Sequence, residues 1–148
     1  MRTSIQQVLA LGAAALGLLL FSAAAQAQLP RTASVPGAAV YFISPKDGET
    51  ITGDVVVRFG LKGMGVAPAG IDVANTGHHH LLINLETLPA LDQPIPADDK
   101  HKHFGAGQTE TTLKLAPGRY TLQMLLGGKY HQPHQPPLLS QKINIIVQ

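Results

Sequence analysis

The chain has no cysteine at all. Thiolate zinc sites and a blue-copper centre are therefore excluded, because both need a cysteine sulfur. Disulfides are excluded too, so stability in an oxidising compartment has to come from packing. Aromatic residues are scarce at 5%, and charged residues make up only 14% of the chain. Lys and Arg occur mostly singly, which leaves no basic, base-stacking surface for nucleic acid. The formal net charge is +2. Nothing in that balance draws the protein to nucleic acid or to an anionic membrane.

The motifs of common hydrolases are missing as well. There is no Gly-x-Ser-x-Gly elbow, no His-Glu-x-x-His helix and no phosphate-binding glycine loop. Ser34, Ser44 and Ser140 have no local histidine partner. Binding without turnover is the expectation. A metal-assisted hydrolase using Asp99 or Glu110 as base stays open on the residues alone.

The amino-terminal region reads as an export signal. Arg2 precedes an uncharged apolar run, residues 8–21, and small residues then lead to Ala25-Gln26-Ala27. A positive end, an apolar core and an Ala-x-Ala site are the order of a cleaved secretory leader. The rival reading is a membrane anchor, since the run from Val8 to Ala25 approaches the ~18 to 20 residues that span a bilayer. The Ala-x-Ala site and the polar Gln26 and Gln28 favour cleavage after Ala27, and a periplasmic or secreted protein. Residues 28–37 are expected as a tether and residues 38–148 as one domain, with no membrane contact once the leader is gone. Without Arg2 the mature chain carries ten basic and nine acidic residues.

Beyond the leader, the periodicity is that of strands. Val55, Val57, Phe59 and Leu61 alternate with Val56, Arg58 and Gly60, one face more apolar than the other. Short runs of this kind are punctuated by Pro45, Asp47-Gly48, Pro117-Gly118 and Gly127-Gly128. The last strand is expected over residues 138–147. This pattern predicts an all-β fold, a single antiparallel β-sandwich of immunoglobulin-like type with long loops.

All seven histidines fall between His78 and His134, in three tight groups. Side chains alternate along a strand, so His78 and His80 share a face with Leu82 and Asn84. His79 turns to the other face with Leu81, Ile83 and Leu85. His101 and His103 repeat the i, i+2 spacing inside the loop 86–107, and His131 and His134 sit in a proline-braced loop. Imidazole suits copper, zinc and nickel. The expected metal ligands are thus His78, His80, His101, His103, His131 and His134, with copper or zinc as the ion. Asp72, Asp98, Asp99 and Glu110 are candidate oxygen donors, while Met64 reads as packing. Ligation needs neutral rings, so occupancy is expected to fall as pH drops through the imidazole range.

The competing reading gives the histidines a holding role. Buried His79 would hydrogen-bond backbone, and His103-Phe104-Gly105 would peg its loop through Phe104. The loops 62–77, 86–107 and 127–137 would then present a surface to a protein or cell-wall partner.

Several runs are shared with a known family. They include Ser44-Pro45-Lys46-Asp47-Gly48, Thr76-Gly77-His78-His79-His80-Leu81-Leu82-Ile83, His103-Phe104-Gly105-Ala106-Gly107-Gln108-Thr109-Glu110 and Tyr130-His131-Gln132-Pro133-His134. In these the chain resembles a bacterial family of secreted domains of unknown function. The resemblance implies a one-domain exported protein behind a signal peptide. It implies no activity.

Overall fold

A computed structural model describes residues 30–148. The leader expected at residues 1–27 and the start of the tether lie outside the described residues. Among the described residues there is no helix. The strands are β1 (Ala39–Ser44), β2 (Thr50–Ile51), β3 (Val55–Lys62), β4 (Gly65–Val66), β5 (Thr76–Ile83), β6 (His101–His103), β7 (Glu110–Leu113), β8 (Gly118–Gly127) and β9 (Ile143–Val147).

They form two sheets. The smaller is antiparallel, in the order β1-β3-β7. The larger runs β2-β9-β8-β5-β4, with β6 also paired to β5. Between them lies one apolar core. Val55, Val57 and Phe59 of β3 meet Leu81 and Ile83 of β5, Leu122, Met124 and Leu126 of β8, and Ile143, Ile145 and Val147 of β9. The alternation in β3 and β9 has a simple cause: each buries only one face. This is the expected all-β sandwich.

β5 breaks that alternation. From Gly77 to Ile83 every residue is buried, so both faces of the strand are covered. Its inner face belongs to the sandwich core. The outer face is roofed by the long loops, where Leu82, Ile95 and Leu125 form a separate apolar cluster with Leu85, Leu91 and Leu139 packed around it. The loop at residues 86–100 is thus anchored by Ile95, whose N–H donates to the His131 carbonyl at 2.9 Å.

Two expected boundaries shift. Residues 101–103 are not loop but a short strand, in register with β5 through His80↔His103 and Leu82↔His101. Pairing along the final segment is regular only from Ile143. Residues 138–140 join the other half of β8 instead, with the Leu126 N–H on the Leu138 carbonyl and the Ser140 N–H on the Met124 carbonyl, both at 3.0 Å.

Candidate metal centre

The strand ladder assembles most of the site. His78 and His80 project from the outer face of β5, two residues apart. β6 places His103 directly opposite His80, and cross-strand partners put their side chains on the same face. The fourth ring comes from the turn after β8. There the Gly128 N–H bonds the Gln132 carbonyl, and the His131 N–H bonds the Gly128 carbonyl. His131 itself has a φ of 62°, in the left-handed region that side-chain-bearing residues seldom occupy. Such a conformation persists where the surroundings hold it, here the hydrogen-bonded turn from Gly128 to Gln132.

His78, His80, His103 and His131 form a group that could hold a metal ion, with candidate ligand atoms all within 4.8 Å of one another. His78 and His80 are buried, His131 is half-buried and His103 is exposed. The site is therefore a buried pair capped by an accessible pair. His78 Nε2 and both ring nitrogens of His80 have no hydrogen-bond partner among the described residues. A buried polar atom left in that state costs roughly 1–3 kcal/mol. A metal ion would relieve that cost.

Glycines let the rings approach. A Cβ on Gly127 would stand 2.5 Å from His80 Cε1 and 3.4 Å from His78 Nε2. A Cβ on Gly105 would run into the His103 ring. Neither glycine has a positive φ, so close approach, not turn geometry, is their role here.

Burial pushes the His78 ring from its ordinary 6.5 down to about 4, and charge on neighbouring imidazoles adds to the shift. His80 falls further, to about 2, for the same leading reason. His103 is also lowered, first by burial and then by His131. All three are thereby kept in the neutral form that ligates metal.

The other expected ligands lie apart. His101 faces the same side as His103 but opposite Leu82, about 7 Å further along the strand. Its Nδ1 meets Asp98 Oδ1 at 2.8 Å. That bond, and two backbone N–H donors, hold the Asp98 carboxyl below its usual range. His134 is buried, with Nε2 3.1 Å from the Thr76 carbonyl and Nδ1 3.5 Å from that of Leu126. Both rings hold loops. The candidate oxygen donors are engaged elsewhere: Asp72 with Lys129, Asp98 with His101, Asp99 with Lys102 and Glu110 with Arg58. Met64 packs against the core.

His79 is buried on the inner face, 5.0 Å from the Phe59 ring, and neither of its ring nitrogens has a partner among the described residues. The hydrogen bond to backbone expected of that ring is not made. Phe104 does anchor its loop, lying buried 4.8 Å from Phe59.

Residues 57–148 match a family described as a domain of unknown function, DUF4399. The chain belongs to that family. No curated protein and no solved structure matches it. In this DUF4399 chain three contributors to the site escaped the sequence reading. Gly105 and Gly127 give the rings room. Arg31, in the stretch expected as a tether, donates to the Pro133 and His134 carbonyls at 3.1 and 2.5 Å and straps down the loop that carries His131. Only the glycines had a visible signal, each lying next to a histidine block or in a Gly-Gly pair.

Proposed function

We propose that this protein binds one divalent transition ion, copper or zinc, through His78, His80, His103 and His131. The observation that carries the reading is the convergence of four imidazoles, two of them buried with unpartnered nitrogens. Loop-holding does not account for His80, whose ring makes no hydrogen bond to a loop among the described residues. His101 and His134 do hold backbone or a carboxylate, and they take the pegging role. An all-nitrogen donor set suits Zn(II) and Cu(II). In an exported protein such a site would buffer or deliver metal in the periplasm.

The test is elemental analysis of untagged protein purified from its native compartment, followed by Cu(II) and Zn(II) titration. The expected result is one tightly bound ion per chain, lost in His78→Ala and His80→Ala. Protein that arrives metal-free and binds neither ion would overturn the proposal and return these rings to a structural role.

A further inference from the structure

The turn that carries His131 is held from two sides of unlike character. From within the fold, the Ile95 N–H donates to the His131 carbonyl at 2.9 Å, and the buried His134 ring meets the Thr76 carbonyl at 3.1 Å. From outside, residues 31–34 lie along it. Arg31 Nε and Nη2 donate to the Pro133 and His134 carbonyls at 3.1 and 2.5 Å. Ala33 forms a parallel bridge with Gln135. There the Gln135 N–H donates to the Thr32 carbonyl at 2.9 Å, and the Ser34 N–H to the Gln135 carbonyl at 3.1 Å. Ser34 Oγ adds a bond to the Pro136 carbonyl at 2.9 Å. At the other end of the turn, Thr32 Oγ1 stands 2.6 Å from the point that a Cβ on Gly128 would occupy.

None of residues 31–34 is buried, and none belongs to the apolar core. Hydrogen bonds hold this segment down. A cavity of about 230 Å³ is lined by Arg31 and Thr32 of the segment and by Gly128, Lys129, Tyr130 and Gln132 of the turn. Few apolar contacts and solvent-reachable hydrogen bonds mark a segment that opens locally while the rest stays folded.

We infer that residues 31–34 are a latch on the metal centre, with Arg31 as its positioning residue. Resting on the metal-binding reading above, the latch holds His131 at the ion, and latch closure and ion binding favour each other. An ion fixes the His131 ring, and with it the backbone at residues 132–136 to which the latch pairs. The latch then closes at a smaller ordering cost. By linkage, a closed latch tightens the site by the same factor. Charge acts the other way: a guanidinium near a divalent cation repels it. Weaker binding once Arg31 is removed therefore marks positioning, not lost attraction.

The probe is Zn(II), or Cu(II) if only copper binds, with the untagged protein and its Arg31→Met variant. The expected result is binding weakened about tenfold in the variant, a coupling of ordinary size. The melting temperature of the metal-free variant should move little. In the unaltered protein, one equivalent of metal should slow hydrogen exchange at the Ser34 and Gln135 N–H groups by about fivefold or more, read by mass spectrometry. The Gln148 N–H, bonded to the Ile51 carbonyl at the far edge of the larger sheet, should exchange as before. Affinity unchanged or raised in Arg31→Met would overturn the latch and leave the four-histidine site standing. Exchange at Ser34 and Gln135 that is the same with and without metal would overturn it equally, and this arm decides if the variant fails to fold. Failure to bind either ion would remove the metal reading and the latch together.

Discussion

The two faces of β5 put the same side chain to different ends. His79 on the inner face and His80 on the outer face are both 1% exposed, and neither ring has a hydrogen-bond partner for its nitrogens among the described residues. His79 looks onto Phe59 in the sandwich core. His80 looks onto His78, His103 and His131. Burial and an unsatisfied nitrogen are therefore not enough to mark a site. Convergence of several such rings on one point is what separates the faces.

Without metal the two faces should behave alike, and acid exposes this with the largest expected effect. Burial lowers His78 and His79 to about 4 and His80 to about 2. In the unfolded chain each ring takes up a proton below about pH 6.5. The folded protein resists doing so. Stability is thus full above that pH and is lost as pH falls from there towards 4, at up to about 1.4 kcal/mol per ring per pH unit. Thermal melts of metal-free protein at pH 7, 6 and 5 check this; a flat melting temperature would mean the rings are not buried as described. With metal bound, the melting temperature should be higher at pH 7, and because the outer rings then resist protonation further, the loss should still begin near pH 6.5 and continue to lower pH.

Paired substitutions then separate the faces. His79→Leu replaces an unpartnered ring in the apolar core and should be neutral or stabilising by about 1 kcal/mol, with metal affinity unchanged. His80→Leu should lower affinity by more than the roughly 10–100-fold that loss of an outer-shell partner costs. Equal effects of the two variants on Zn(II) titration would erase the distinction.

A smaller contrast concerns the left-handed residue. His131→Gly suits a φ of 62° and should keep stability within about 1 kcal/mol of the parent while weakening metal binding. Loss of folding and of metal together would mean that the ring serves packing first. Smallest of all, His101→Ala should leave the metal stoichiometry unchanged and loosen only the turn around Asp98, read by hydrogen exchange at Lys100 and His101.

Much of this was legible in the sequence. Alternation at residues 55–61 gave a strand buried on one face, and i, i+2 spacing put His78 and His80 together. The role of β6 was not legible, because three residues carry no periodicity and only pairing with β5 reveals their register. That register decides between His103 and His101, which share the same local motif. His131 and His134 are separated by backbone geometry alone: one is turned into the cluster by a left-handed φ, the other meets carbonyls. Spacing cannot encode either difference.

The most direct measurement is ¹⁵N NMR of the seven histidine rings during Zn(II) titration. The account predicts that at one equivalent the rings of His78, His80, His103 and His131 shift together, while those of His79, His101 and His134 keep their positions. Shifts at His101 and His134, or no ring shifts at one equivalent, would contradict a centre built from these four histidines.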